Sequence, residues 1–195
     1  MSIKSFVMVR RGLREALLTG GLALCLFFLC VEGGVTQGYA GQQGMHTQNS
    51  LPVPVRRMVD EIRQAAQSGE VERLREVLQL NELQPVINGK VLHDPVTFWK
   101  QRSADHKAYA LLATLVSLLR VPPCQKKTKS GMLYLWPYFA CVPLDRLRPA
   151  EKVRFYELVP AQKAAQMLRK KRYGHAVLTI GADGTWHSYE DHIKP

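Results

Sequence analysis

Apolar residues recur at helical spacing in the part of the chain that follows residue 54. Val55, Met58 and Ile62 fall three or four residues apart, which predicts an amphipathic helix that ends near residue 68. A second amphipathic helix should follow, and Ser68 is its expected N-cap because a serine hydroxyl can accept a hydrogen bond from the first free backbone N–H groups.

Two more helices are indicated before residue 120. Asp94 and Pro95 have the form of an N-cap followed by a first-turn proline, and they predict a short helix that includes Trp99. Residues 108–119, AYALLATLVSLL, are apolar nearly all round. A helix without a polar face belongs in the core, so we expect to find this one there.

Turn residues and alternation predict the strands. Asn88-Gly89 stands between short β-branched runs and predicts a tight hairpin over residues 85–92. Residues 125–131, QKKTKSG, have the composition of a loop, and a strand is expected over 132–136. Pro137 cannot donate a hydrogen bond to a neighbouring strand, so the strand must end, bend or run along a sheet edge there.

The C-terminal third predicts two helices and a hairpin. One helix should begin at Pro149 and the next should cover 161–171, while 173–180 should pair with 185–189 across a turn that contains Asp183 and Gly184. The sum of these elements is an α+β fold in which a helical N-terminal half packs on a small antiparallel sheet.

The N-terminal pattern is that of an export signal. Basic residues precede an apolar run over 16–31, and Gly38 and Ala40 are the small residues that a signal peptidase requires. This run of 16 residues is shorter than the about 20 that span a bilayer, although an uncleaved anchor is the alternative and would be the only membrane contact. We therefore expect a periplasmic or secreted protein with a signal peptide over 1–40, a flexible lead over 41–54 and a single domain over 55–195.

The chain is basic, and the excess is local. Lys and Arg number 27 against 16 Asp and Glu, and 23 against 14 after residue 40, which leaves a net charge of +9. Between residues 120 and 172 there are 13 basic residues and 3 acidic ones. Outside the cytosol the available polyanions are envelope polymers and lipid headgroups. We therefore expect an anionic envelope polymer or a protein as partner, and no nucleic acid. The alternative is a solvated basic surface without a specific partner. The candidate contacts are Lys126, Lys127, Lys129, Arg169, Lys170, Lys171 and Arg172.

Two cysteines follow the predicted signal. Cys124 and Cys141 lack the spacing of a CxxC redox motif, and an even pair in an oxidising compartment favours one disulfide. By loop entropy such a bond stabilises the fold by about 3 kcal/mol. Two free buried thiols or a reactive cysteine are the alternatives.

Aromatic residues are concentrated in residues 131–147, GMLYLWPYFACVPLDRL. Alternate residues of a strand share a face, so Tyr134, Trp136 and Tyr138 should point the same way. Such a stripe could stack on sugar rings, but aromatic rings are also the largest contributors to a small core, and we favour core packing. The alternative is a binding surface or pocket formed by these three residues and His175.

This segment resembles the signature of an uncharacterised family of small exported bacterial proteins. The resemblance covers roughly residues 71–186 and rests on YLWPYFACVPLDRL, with DPVTFWKQRS before it and IGADGTWH after it. It implies a periplasmic or secreted location and brings no known activity. The chain departs from the family pattern at Arg148, over 126–130 and over 187–192, so a family function that depended on those positions would not be expected to transfer.

Candidate chemistry is sparse. Ser103, Ser117, Ser130 and Ser188 lack the glycine-flanked turn that presents a nucleophile. The metal-capable residues cluster near the C-terminus but differ in strand parity, so we predict no metal site and no cofactor. These residues are His175, His187, Glu190, Asp191 and His192.

Two functional hypotheses follow. The preferred one is an exported cell-envelope protein of unknown biochemical activity that serves as a non-catalytic binding or structural module. The alternative is a small ligand-binding domain or enzyme with an aromatic-lined pocket near Trp136. A deep cavity with a buried ionisable residue beside Trp136 would favour the alternative.

Overall fold

The structure is a computed structural model that describes residues 50–81 and 83–191, which belong to one compact unit. The predicted signal over 1–40 and most of the predicted lead lie outside the described residues. Among the helices of the described part, none is long and apolar enough to cross a membrane.

The described residues form six α-helices and a six-stranded sheet, so the predicted α+β class is confirmed. Two short 3-10 helices, Tyr138–Ala140 and Leu144–Arg146, follow the fourth strand. The α-helices are α1 Val53–Gln67, α2 Arg73–Gln79, α3 Pro95–Arg102, α4 Tyr109–Leu118, α5 Pro149–Leu158 and α6 Ala161–Lys170. The strands are β1 Val86–Ile87, β2 Lys90–Val91, β3 Cys124–Thr128, β4 Gly131–Trp136, β5 Val177–Gly181 and β6 Trp186–Glu190.

The strand order across the sheet is β2-β1-β6-β5-β4-β3. The pairs β1–β2, β3–β4, β4–β5 and β5–β6 are antiparallel, and β1–β2 and β5–β6 are the two predicted hairpins. The pair β1–β6 is parallel, with Val86 opposite Ser188 and Ile87 opposite Tyr189. The sheet is therefore mixed, and this one parallel pair joins the early hairpin to the C-terminal hairpin.

The helix boundaries follow local chemistry at α3 and depart from prediction at α1 and α2. The Asp94 carboxylate accepts hydrogen bonds from the Thr97 backbone N–H at 3.0 Å and from its hydroxyl at 2.7 Å. These bonds and the Arg75 ion pair at 2.8 Å hold the pKa of Asp94 well below its usual range. Helix α1 begins two residues earlier than expected, at Val53.

The prediction of Ser68 as the N-cap of α2 is wrong. Ser68 is the C-cap of α1, and its hydroxyl donates to the Ala65 carbonyl at 2.7 Å. A turn separates it from α2, which begins at Arg73. A serine can bond to the helix behind it as readily as to the helix ahead, so its position alone did not decide between the two.

Helix α4 is buried on one face only, which corrects its predicted place within the core. Leu112, Leu115 and Leu118 are buried, whereas Ala113 is exposed and the side chain of Tyr109 is 53% exposed. The exposed apolar residues of the helix are thus Tyr109, Ala110 and Ala113, whereas Leu111 and Val116 are partly buried against the core.

The predicted loop over 125–131 is in fact mostly strand β3. Lys126 lies opposite Leu133 and Lys127 opposite Met132 in an antiparallel ladder with β4. Only Lys129 and Ser130 separate the two strands. An edge strand pairs with a neighbour on one side only and is exposed to water on the other, so lysine side chains are compatible with it. Because the segment is polar, its sequence did not predict a strand.

Two asparagine side chains extend the short parallel pair between β1 and β6. The Asn81 amide donates to the Trp186 carbonyl and accepts from the Trp186 backbone N–H, both at 3.0 Å. At the other end the Asn88 side-chain oxygen accepts from the Asp191 backbone N–H at 2.9 Å. These bonds satisfy backbone groups of β6 that the two-residue strand β1 is too short to reach.

Strand β5 is the centre of the core. All five of its residues are buried, β4 and β6 occupy its two edges, and α1 packs against it. Further along the core, Phe155 of α5 makes edge-to-face contacts with Phe139, at 5.1 Å between ring centroids, and with Tyr173, at 6.2 Å. Helices and sheet thus share one hydrophobic core.

The β5–β6 turn touches the start of α1 at Gly184. Gly184 has a φ of +89°, and a Cβ atom there would lie 2.8 Å from the Pro54 carbonyl oxygen. Gly69 also has a positive φ, +76°, but a Cβ there would meet nothing within 4 Å. A side chain at Gly69 would therefore introduce backbone strain alone, whereas a side chain at Gly184 would introduce backbone strain and a steric collision.

We expect Gly184→Ala to lower the free energy of unfolding by about 3 kcal/mol and the control Gly69→Ala by about 1 kcal/mol. Both substitutions place a Cβ on a residue whose backbone has a positive φ. Only the Cβ of Gly184→Ala would also collide with the Pro54 backbone. Urea denaturation of both variants measures the difference. Equal losses would show that the turn does not pack tightly on α1.

Candidate functional site

The aromatic rings of the segment 131–147 lie inside the protein. Tyr134, Trp136 and Tyr138 are 5%, 0% and 3% exposed, and Tyr138 packs against Phe139 at 4.2 Å between ring centroids. Burial raises the pKa of the Tyr138 hydroxyl to about 12, and the nearby charge of Glu151 acts in the same direction. These rings therefore do not form an exposed stacking surface.

The predicted disulfide is present. Cys124 and Cys141 are bonded, with Cα atoms 6.3 Å apart and a sequence separation of 17. Cys124 is buried at the start of β3, whereas Cys141 is exposed just after the 3-10 helix that follows β4. The bond thus attaches the first residue of the edge strand to a surface turn.

A cavity of about 370 Å³ opens beside Cys141. Lys171 and Arg172, which follow α6, line it together with Phe139 and Tyr173. The other residue of the disulfide, Cys124, is the first residue of β3, which carries Lys126 and Lys127. We call these two basic segments, at β3 and at the end of α6, the basic band, and its exposed members are Lys126, Lys127, Lys129, Arg169, Lys170, Lys171 and Arg172.

Few acidic groups neutralise the basic band. The acidic residues between 120 and 172 are Asp145, Glu151 and Glu157, and Asp145 pairs with Lys171 at 3.5 Å. Glu151 pairs with Arg148 at 3.1 Å and accepts from the Arg148 backbone N–H at 2.8 Å, outside the band. The band therefore keeps a strong positive excess.

A second cavity, of about 230 Å³, is a half-open groove elsewhere on the molecule. Trp99 and Arg102 from α3, Leu111 from α4, and His175 and Asp191 from the adjoining ends of β5 and β6 line it. Val177 pairs with Glu190, which brings the residues before β5 and after β6 together. Of the four residues predicted to share a binding surface or pocket, His175 alone lines this groove, and Trp136 lines neither cavity.

The groove perturbs its titratable groups. Burial lowers the pKa of His175, and the charge of Lys163 lowers it further, while the Asp191 carboxylate opposes both effects. Burial raises the pKa of Tyr189 strongly, and the charge of Asp191 raises it further. His175 is therefore held toward its neutral form at neutral pH.

The groove contains a serine, a histidine and an aspartate, but they do not form a catalytic triad. The Ser103 hydroxyl donates to the Asp105 carboxylate, which also accepts from the backbone N–H groups of Lys107 and Ala108 at 2.8 Å each. Ser103 thus belongs to the turn between α3 and α4 and does not donate to His175.

The C-terminal histidine and carboxylate residues do not converge. Across residues 50–81 and 83–191, no group of three or more such side chains could hold a metal ion. His187 is exposed, and the Glu190 carboxylate accepts from the Gly89 backbone N–H at 3.0 Å. His192 lies outside the described residues.

Trp99 and Arg102 are the groove residues that the sequence did not indicate. They lie 70 or more positions before His175, so only tertiary packing brings them to it. The local sequence predicts only the helix that carries them, through its N-cap Asp94 and its first-turn Pro95.

No protein-family model, curated protein or solved structure matches this chain.

The pKa shift of His175 predicts how stability depends on pH. Because the pKa is lower in the folded chain than in the unfolded chain, the unfolded chain binds more protons below the ordinary histidine value of about 6.5. The free energy of unfolding should therefore fall as pH drops through this window, and His175→Gln should lose less stability than the wild type between pH 7.5 and pH 5.

Urea denaturation at both pH values measures this loss. His93→Gln, at an exposed position outside the groove, is the matched control. An unchanged pH dependence in His175→Gln would refute the assignment of this effect to His175.

Proposed function

We propose that the protein is an exported, non-catalytic module of the cell envelope that binds an anionic envelope polymer through the basic band. The observation that carries this proposal is that the disulfide bonds the start of β3, which carries Lys126 and Lys127, to Cys141, which lines a cavity with Lys171 and Arg172. A clustered positive surface attracts a polyanion electrostatically.

The disulfide and the N-terminal pattern support the proposed location. Structural disulfides persist in oxidising compartments, and residues 1–40 carry the features of a cleavable signal. In the periplasm or outside the cell, polymers of phosphate or sugar acid are the abundant polyanions. The proposal therefore names these polymers and not nucleic acid. We also retain membership in the exported family that the segment 131–147 resembles as part of the proposal.

An extended polymer fits the band better than a small anion does. Lys126 and Lys127 of β3 are exposed and about 3.3 Å apart along the strand, with side chains on opposite faces, and the exposed Lys129 follows the strand. Exposed cations each contribute only a few tenths of a kcal/mol to about 1 kcal/mol, so useful affinity requires several contacts at once. A chain with repeated charges supplies them.

A catalytic function near Trp136 is not part of the proposal. Trp136 is fully buried and lines neither cavity, so no substrate reaches it in this structure.

Neutralising the β3 part of the band should weaken polymer binding. We expect Lys126→Gln, Lys127→Gln and Lys129→Gln together to reduce affinity for poly(glycerol phosphate) or lipopolysaccharide about tenfold in low salt, which corresponds to about 1.4 kcal/mol. Each polymer is titrated separately, because binding to either one would support the proposal.

The matched control removes the same charge outside the band. Arg56→Gln, Arg57→Gln and Lys90→Gln alter three exposed cations on α1 and β2 and should reduce affinity less than about threefold. Equal losses in the two triple variants would mean that net charge alone attracts the polymer and would refute a specific band. No binding to either polymer would refute the proposal itself.

The predicted export has its own test. N-terminal sequencing of the protein recovered from the envelope or medium should give a start near Gly41, because the small residues Gly38 and Ala40 precede that bond. Recovery of intact Met1 in the membrane fraction would show that the apolar run is a retained anchor.

A further inference from the structure

The two residues of the Cys124–Cys141 disulfide differ in their access to solvent. Cys124 is 3% exposed at the start of β3, whereas Cys141 is exposed and lines the cavity of about 370 Å³. Thiol–disulfide exchange requires an attacking thiolate to reach one of the two sulfurs, so access decides which sulfur is attacked. A thiol that arrives from solvent should therefore react at Cys141.

Two cations line the same cavity as Cys141. The backbone N–H groups of Lys171 and Arg172 both donate to carbonyls of α6 at 3.2 Å, so the end of the helix fixes the backbone from which these side chains extend. The next residue, Tyr173, is buried and also lines the cavity. The two cations are therefore attached to a wall that hydrogen bonds and core packing hold in place.

The charge of the cavity wall is positive. Among the described residues that line the cavity, Lys171 and Arg172 are the charged ones. Asp145 pairs with Lys171 at 3.5 Å, but both side chains are exposed to water, and Arg172 forms no salt bridge within the described part of the chain. Such a wall raises the local concentration of an anionic ligand and favours a thiolate over a thiol.

The rest of the cavity wall is mainly apolar and includes Phe139, Val142 and Pro143. Its volume of about 370 Å³ falls within the roughly 300–1,000 Å³ that is typical of small-molecule sites. We propose that the cavity receives a low-molecular-weight thiol of net negative charge and directs this thiol to the Cys141 sulfur. Cys141 is then a site of reversible S-thiolation, and this role does not rest on polymer binding.

The exchange balances without a further oxidant or reductant. The incoming thiolate forms a bond to the Cys141 sulfur while the Cys124–Cys141 bond breaks, and the electron pair of the broken bond stays on the Cys124 sulfur. Because Cys124 is buried, that sulfur should take a proton from the buffer. In the reverse step the Cys124 sulfur loses this proton, attacks the Cys141 sulfur and releases the small thiol.

Reduced glutathione is a suitable probe because it is a compact thiol with a net negative charge at neutral pH. The oxidised wild type is incubated with glutathione, quenched with acid while the bond is opening, and labelled with N-ethylmaleimide under denaturing conditions. Peptide mapping by mass spectrometry should find glutathione on Cys141 and the maleimide on Cys124, with a preference of at least about tenfold. Equal amounts of glutathione on the two cysteines, a preference for Cys124, or no adduct on either would overturn Cys141 as the site.

A ratio of two rates tests the role of the cations. Cys124→Ser leaves Cys141 as a thiol that Cys124 can no longer reseal. Its rate with oxidised glutathione, which is anionic, is divided by its rate with cystamine, which is cationic, because this ratio cancels the thiolate fraction of Cys141. Adding Lys171→Gln and Arg172→Gln should lower the ratio at least about fivefold at low salt.

The matched control adds Lys126→Gln and Lys127→Gln, which remove two exposed cations of β3 outside the cavity wall and should change the ratio less than about twofold. Equal ratios in the two sets of variants would overturn the preference for anionic thiols. If circular dichroism shows that Cys124→Ser does not fold, the ratio is taken from the rates at which reduced glutathione and cysteamine open the disulfide of the wild type and of the charge variants. These reactions contain no polymer and the polymer titrations contain no thiol, so the failure of one proposal is distinguishable from the failure of the other.

Discussion

The burial of strand β5 on both faces and along both edges is the constraint around which the molecule is built. Because Val177–Gly181 is enclosed, the connection that precedes it is also fixed, and the buried Tyr173 hydroxyl donates to the Ala176 carbonyl at 2.9 Å within that connection. Lys171 and Arg172, near this connection, line the cavity beside Cys141, and His175 lines the groove. Both candidate sites thus depend on the anchoring of one buried strand.

Local chemistry made part of the fold predictable. Asn88-Gly89 forms its hairpin with positive φ at both positions, and Asp94 caps α3, because these preferences act between residues close in sequence. Strand β3 and the parallel β1–β6 pair were missed because partner strands stabilise them, and Asn81 reaches Trp186 across 105 positions. The exposed face of α4 was missed for a related reason, since an apolar sequence cannot show which of its faces another element will cover.

The candidate sites also differ in how much of them the sequence alone could predict. The Cys124–Cys141 bond and the clustering of cations followed from compartment and composition, which are properties of the whole chain. The rings of the segment 131–147 were the most conspicuous residues in the sequence, yet their size places them in the core. The groove instead combines His175 with Trp99 and Arg102, and their proximity arises from packing between the two halves of the chain.

The disulfide connects fold and proposed function, because it bonds the start of the basic edge strand to Cys141, which lines a cavity with Lys171 and Arg172. The most direct test compares poly(glycerol phosphate) binding by the oxidised wild type and by Cys124→Ser/Cys141→Ser, which carries the same charges. Under conditions where circular dichroism shows both to be folded, we expect the variant to bind at least about fivefold more weakly, because the turn at Cys141, which lines the cavity with Lys171 and Arg172, is no longer bonded to the start of β3. Equal affinities would contradict a band that depends on the disulfide.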